Sequence, residues 1–488
     1  MPKKKIINKE NNTKKRPLPK GIKIIMCFII FISILLLALL YRVNVLPFKY
    51  FIIVILLVIL IAYINIRFLR KRKKRKIGLI MSLILTIIYI VANIYLLNTL
   101  NFFSKIKSNN IVEENYLVVV KKDSDYNEIK DLKNKKIGLI DDSEIGYTKA
   151  TNKLQKDIKF LEEKKEDSYE LTDLLLKNEI DGLLIEDSQE KILEENYDGY
   201  KDKTKVIYTF TVEVEEESIT KAKDITKDSF NIFISGIDTY GKINSSSRSD
   251  VNIVVSVNPS KGTISLVHIP RDYYVSIYKK NGLKDKLTHA GIYGIDTSVK
   301  TVEKLLDIDI NYYFKFNFTS LVKIVDTLGG VKVYSEETFK SGIYDEGVKE
   351  VYTYVKGWNT LNGEEALSFA RERHNIADGD LGRGRHQEAL IEAILKKAVS
   401  PSIITKYNSL LNTLSNTFVT NLEEENMTNF IKMQLDKNID WQVTKLVMNG
   451  TSSMEYTYSY PKAKLYVMLP DEQSMNKAKE QINNNNNN

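Results

Sequence analysis

The chain has 488 residues, a single cysteine (Cys27) and four scattered histidines, which excludes a disulfide framework and any multi-cysteine or His-spaced transition-metal site. Its formal charge of +9 suggests a nucleic-acid partner, yet residues 1–100 hold 19 Lys+Arg and a single acid, Glu10. The remaining 388 residues keep 52 basic and 61 acidic residues, a net −9 that repels a polyanion, so no nucleic acid is expected as partner.

A basic tail over residues 1–23 precedes three apolar runs, Ile24–Leu40, Phe51–Ile66 and Ile77–Leu97. Each is near the ~17–25 residues that cross a bilayer's hydrocarbon core, so residues 24–100 are predicted to be a three-helix membrane anchor. "MPKKKIINKENNTKKRPLPK" lies before the first run and "RFLRKRKKRK" between the second and third, whereas "YRVNVLP" between the first two is nearly uncharged. The positive-inside rule places both basic segments, and the N-terminus, in the cytoplasm, and everything after Leu100 outside the cell. A cleaved signal peptide is the poorer reading of the first run, because no small-residue cleavage site follows and two more runs do. The middle run is short and contains Asn65.

Residues 111–217 have a mixed α/β pattern: "YLVVVKK" and "KKIGLIDD" predict short strands, and "LTDLLLKNEIDGLLIEDS" predicts a helix, a turn and a strand. The order resembles a fragment of a periplasmic solute-binding domain. It carries no arginine or aromatic cluster to hold a ligand, and an accessory packing or interaction role is expected. The charge-rich segment Val212–Ser229 predicts a linker.

Residues 228–400 form the main domain. "FNIFISGID", "DVNIVVSVNP" and "GTISLVHIP" predict strands, the last two joined tightly through Asn258–Gly262. "TSVKTVEKLLD", "FTSLVKIVDTLGG", "LNGEEALSFA" and "HQEALIEAILKKA" have helical periodicity. The predicted fold is α/β, a central mixed β-sheet flanked by helices. Residues 401–482 predict a helical and strand extension, and the asparagine tail, 483–488, predicts disorder.

"ARERHNIADGDLGRGRHQ" (370–387) favours arginine in a chain otherwise crowded with lysine. Arg371 and Arg373 share a face only if the helix frays after Ala370, whereas Arg383 and Gln387, at i and i+4, share one on the next helix. The glycines permit a close turn into that helix, whose free N–H groups favour an anion. Asp238 ends the first strand, Arg248 and Asp250 open the second on one face, and Arg271 follows the third. Converging guanidinium forks match phosphate bidentately, and a carboxylate pair can hold magnesium against a pyrophosphate.

The segments "GIDTYGKINSSSRSD", "SLVHIPRDYYV", "DKLTHAGIYG" and "SFARERHNIADGDLGRGRHQ" resemble the successive motifs of the LytR-CpsA-Psr family. Three spans and an extra domain before the catalytic one resemble its capsule-type subgroup. The resemblance implies an extracytoplasmic phosphotransferase that moves a glycopolymer (teichoic acid or capsule) from an undecaprenyl-pyrophosphate-type lipid to peptidoglycan. It implies Mg2+ on Asp238 and Asp250, and pyrophosphate on Arg248, Arg271, Arg371, Arg373, Arg383 and Gln387. Arg271, Arg371, Arg373 and Asp380 would take part in catalysis, with Asp380 or Asp272 as proton acceptor. The prenyl chain would need an apolar tunnel lined from the sheet and "FNFTSLVKIV". This chain departs from the family at His386, where many members have arginine, and Arg385 is a candidate substitute. A non-catalytic lipid-pyrophosphate sensor is the alternative; a transcription regulator would need the main domain to be cytoplasmic and basic.

Overall fold

The computed structural model describes residues 17–106, 111–141, 145–215, 223–237, 243, 247–278, 280, 282–345, 348–398, 409–410, 413 and 418–487. The chain forms two compact units, Met1–Asn101 with Ile431–Lys437, and Phe102–Phe430 with Asn438–Asn488.

The first unit holds the helices Lys20–Val43 and Phe48–Arg70 and most of Arg75–Ile106; all three are long and apolar enough to cross a membrane. Ile29, Leu36, Val58 and Leu85 pack between them, while Phe31, Leu56 and Leu83 face outward, as a helix bundle in lipid requires. Asn65 of the middle helix is fully buried. Its amide donates to Gly78 O at 3.0 Å and accepts from Ser82 Oγ at 3.0 Å. The polar residue inside the apolar run therefore has its partners on the third helix, where an unpaired amide would be costly.

In the second unit, the accessory region forms a five-stranded sheet in the order Leu161–Lys165, Lys136–Ile140, Gly182–Glu186, Ile111–Lys121, Thr204–Glu215. The first three strands run parallel and the last two pairings are antiparallel. Its core includes Val118, Val119 and Leu184, and also Ile292 from the main domain. Tyr169 donates to Ser459 O at 3.0 Å, so the accessory sheet is docked on the main domain.

The main sheet has six strands in the order Phe418–Thr420, Tyr312–Asn317, Phe230–Ile237, Ser249–Asn258, Thr263–His268, Gln442–Val447. It is mixed: Phe230–Ile237 runs parallel to Tyr312–Asn317 and antiparallel to Ser249–Asn258. Both faces are covered, which explains the nearly unbroken apolar run "VNIVVSV". Val254 joins Phe233 and Val267 under the helices Ile295–Leu306 and Glu472–Asn486, while Ile253, Val255 and Val257 face Ile391 of the helix Asp380–Ala398.

Residues 401–482 contain the expected helix and strand and also supply both edge strands of the main sheet. One sequence expectation is corrected. The asparagine tail is not disordered through residues 483–486, which complete the helix that begins at Glu472. Its asparagines meet a polar stripe on the sheet that no apolar side chain could satisfy. Asn485 donates to Ser256 O at 2.9 Å and accepts from Thr263 Oγ1 at 2.6 Å, and Asn486 accepts from Ser256 Oγ at 2.8 Å. Asn485→Ala removes its half-buried bonds to Ser256 O and Thr263 Oγ1, each worth about 0.5–1.5 kcal/mol, and is expected to lower the thermal midpoint. Asn487→Ala, at an exposed position, should leave the midpoint unchanged.

Candidate active site

One end of the main sheet opens into a cavity of 170 Å³. The strand Phe230–Ile237 contributes Gly236 and Ile237, the next strand Asp250 and Val251, and the loop after the third Arg271. Phe316, Phe318 and Leu321 enter from the strand Tyr312–Asn317 and the helix that follows it. The remaining wall is Leu367, Ala370, Arg371, Arg373, Arg383 and Gln387. The hollow thus joins four guanidiniums and a carboxylate with aromatic and aliphatic carbons. Part of "FNFTSLVKIV" supplies the apolar lining.

The arginines are wired one by one. Arg271 Nη1 donates to Asp250 Oδ2 at 2.8 Å, and its Nε lies 3.6 Å from Asp272 Oδ2. Burial alone would lower its pKa, but Asp250, Asp272 and Asp380 outweigh that and raise it. Asp250 also accepts from Thr288 Oγ1 at 2.9 Å. Asp272 is buried and accepts from Lys286 Nζ at 3.0 Å. Burial pushes its carboxyl up, but Lys286 and Arg271 prevail and hold it below the usual range. Arg383 pairs with Asp380 one turn away on the same helix. Among the described residues, Arg271 Nε and Arg383 Nε have no hydrogen-bond acceptor. Each orphaned buried group costs about 1–3 kcal/mol, and such a concentration at one place marks a site prepared for a ligand.

Arg371 and Arg373 come together because the helix Gly363–Arg371 ends there and Glu372 is extended, with ψ 130°. Glu372 Oε1 accepts from the backbone N–H groups of Arg373, His374 and Asn375 at 2.9, 2.7 and 2.9 Å. This carboxylate replaces the lost helical acceptors and fixes the turn between the two arginines. Arg371 lies over the Phe318 ring, with Cζ 4.5 Å from its centroid.

Gln387 is aimed by His268. The imidazole Nε2 lies 3.0 Å from Gln387 Oε1, and the Gln387 amide donates to Ala370 O at 3.3 Å. Burial, with Arg383 nearby, pushes the His268 pKa down to about 3, so the ring is neutral and can donate to the amide oxygen. Gly384 lies against that ring: a Cβ there would stand 2.7 Å from Nδ1, so only glycine allows the helix this close. His268, Thr288, Lys286 and Glu372 all lie at or beside the recognised motifs, yet their types gave no sign of these roles.

Not every expected residue is among those lining the cavity. Arg248 is not among those lining the cavity, although it lies two residues before Asp250. Asp238 lies outside the described residues. Neither candidate for the last arginine takes that place. Arg385 turns away to Glu336 and Asp378, at 3.1 and 3.0 Å. His386 is buried between Phe369 and Phe339, and burial lowers its pKa to about 4.

Among the described residues no group of three or more His, Cys, Asp or Glu could hold a metal. Magnesium does not require one, since it commonly binds one or two carboxylates together with substrate phosphates. Asp250 fits that role: each oxygen accepts one hydrogen bond and keeps a lone pair, and the carboxylate faces the cavity.

A family model described as the LytR_cpsA_psr family matches residues 193–483. The chain is 33% identical over 276 residues to a Bacillus subtilis protein named polyisoprenyl-teichoic acid–peptidoglycan teichoic acid transferase TagT, covering 55% of this chain and 81% of that one. It is 36% identical over 214 residues to a Bacillus cereus TagU of the same description, covering 44% of this chain and 65% of that protein, just under two thirds of its length. Among solved structures, B. subtilis TagV is similar at 28% identity, covering 53% of this chain and 97% of that one, with a TM-score of 0.43. The family match spans more than half the chain and contains every residue of the cavity, and the chain belongs to the LytR_cpsA_psr family.

Proposed function

We propose that the protein is a cell-wall glycopolymer transferase that takes a polymer from a polyprenyl-pyrophosphate-type lipid and joins it to a peptidoglycan hydroxyl. The observation that carries this reading is the mixed lining of the cavity: guanidiniums for a pyrophosphate next to aromatic and aliphatic carbons for the start of a prenyl chain. The names of the TagT and TagU relatives support it. Three apolar helices, with basic residues before the first and between the second and third, support a membrane-anchored protein whose main domain lies outside the cell.

In the proposed reaction, a sugar hydroxyl attacks the phosphorus that bears the polymer. A new P–O bond forms, the P–O bond to the lipid phosphate breaks, and lipid monophosphate leaves. Arg271, Arg371, Arg373 and Arg383 stabilise charge that builds on the phosphoryl and leaving oxygens. Gln387, fixed by His268, adds a donor at the same wall. Asp380 or Asp272 receives the hydroxyl proton; each is held by a cation, Asp380 by Arg383 and Asp272 by Lys286. Magnesium held by Asp250 and Asp238 would neutralise pyrophosphate charge. Arg248, two residues from Asp250, is proposed to meet the pyrophosphate once it is bound.

The experiment is polymer transfer to purified peptidoglycan alongside binding of the lipid-linked donor. Arg271→Lys and Arg373→Lys keep the charge but lose the fork, removing about 1.5–3 kcal/mol, or one to two powers of ten. The loss should be greater in transfer than in lipid binding, because part of that energy exists only in the transition state. Equal losses in both assays would make these arginines mere binders. For the metal, Asp250→Asn should weaken Mg2+ uptake measured by calorimetry in the presence of inorganic pyrophosphate; unchanged uptake would remove Asp250 from the metal site.

A further inference from the structure

The helix Asp380–Ala398 has a second hollow on its other side. At about 100° per residue, Glu388 and Glu392 point roughly opposite to Arg383 and Gln387. They line a hollow of 590 Å³ rather than the arginine cavity. Its facing wall is a two-stranded ribbon, Val331–Ser335 paired with Gly357–Leu361. Strand alternation buries Val331 and Val333 and turns Lys332 and Tyr334 outward. Tyr334 is the cross-strand partner of Trp358; their ring centroids are 5.5 Å apart at 78°. Trp358 is 60% exposed and Tyr334 48%, and Lys332 Nζ stands 5.2 Å from the indole centroid.

The rim alternates donors and acceptors. Arg385 bridges Glu336 and Asp378 at 3.1 and 3.0 Å, and Glu392 accepts from Lys445 and Lys396 at 2.8 and 2.7 Å. Below them Glu388 is 3% exposed, and its Oε1 has no hydrogen-bond partner among the described residues. Burial pushes its carboxyl up to about 8, so at neutral pH it is mainly the neutral acid, an O–H donor within a wall of the hollow.

An exposed indole–phenol corner suits a flat apolar face whose edge carries hydrogen-bonding groups. A pyranose ring is such an object, with C–H bonds on its face and hydroxyl and amide groups around its rim. The hollow's charge narrows the choice. Lys332, Arg385, Lys396 and Lys445 stand against the carboxylates Glu336, Asp378 and Glu392. With Arg385, Lys396 and Lys445 already paired with these carboxylates, the near balance suits a glycan with occasional carboxylates better than a chain with a phosphate in every repeat, which needs an excess of unpaired cations. Asp378 and Leu381 line this hollow while Arg383 and Gln387 line the cavity, so the start of one helix contributes to both.

We propose that this hollow is the acceptor subsite, holding the N-acetylated amino-sugar strand of peptidoglycan against Trp358 and Tyr334 so that a hydroxyl reaches the arginine cavity across the first turn of the helix. This rests on the transferase reading. The full chain in detergent, with Trp441→Phe as background, leaves Trp358 as its only tryptophan. Its fluorescence should shift as the tetramer of N-acetylglucosamine is added. Trp358→Ala, at an exposed position, should raise the acceptor KM by about ten-fold or more, as loss of a central aromatic contact does, with kcat and lipid-donor affinity unchanged. No response to the tetramer, or an unchanged acceptor KM, overturns the proposal. A response only to soluble teichoic acid, or only on transfer from detergent to a lipid bilayer, also overturns it, in favour of the donor chain or a membrane contact. If the tetramer binds but the unaltered protein transfers no polymer, the transferase reading fails while the glycan site stands.

Discussion

Four guanidinium groups converge at the end of one sheet, and the surrounding structure is arranged so that they can remain there. Like charges at this range repel and resist burial, so each needs a reason to stay. Arg271 stays by pairing with Asp250, Arg383 by pairing with Asp380, and Arg371 by lying on Phe318. Arg373 is held by its backbone, through the turn that Glu372 closes. What is left over is informative: the Nε–H groups of Arg271 and Arg383 have no acceptor among the described residues. A ligand with phosphate oxygens supplies one.

The supporting shell follows from the same constraint. Asp250 can face Arg271 because Thr288 holds its other oxygen, and Thr288 lies in a segment tied down by buried Asp285. Asp285 in turn accepts from Ser459 N at 2.8 Å, and Tyr169 of the accessory sheet bonds the carbonyl of the same serine. The accessory domain is thus tied by hydrogen bonds to the segment that carries Thr288, which holds the metal-ligand candidate Asp250. Glycine at 384 serves a similar purpose on the other wall, letting His268 and Gln387 approach closely enough to bond.

Much of this was legible in the sequence, for physical reasons. The sheet strands could be read because their apolar runs alternate between two covered faces, and the arginine positions could be read because strand ends and glycine turns bring them to one place. The spacing at Arg383 and Gln387 sufficed to put both on one helix face. Other features were not legible. The partners of the sheet's edges lie beyond residue 400, and no local pattern announces a strand that adds to a sheet closed nearly two hundred residues earlier. The asparagine tail looked like low complexity, because its partners, Ser256 and Thr263, are remote in sequence. Arg385 could not be told from its neighbours by type; only the helix's rotation shows that it points to the other hollow. Glu372 carries no sequence signal of its role as the staple of the turn.

The central claim is that the cavity holds a prenyl pyrophosphate, and the most direct measurement is mass spectrometry of lipid carried through purification of the membrane-extracted full chain. The account predicts a polyprenyl pyrophosphate or its glycosylated form, present with the unaltered protein and depleted when Arg271 and Arg383 are both replaced by alanine. Phospholipid alone, or the same polyprenyl lipid in equal amount with the double variant, would contradict it.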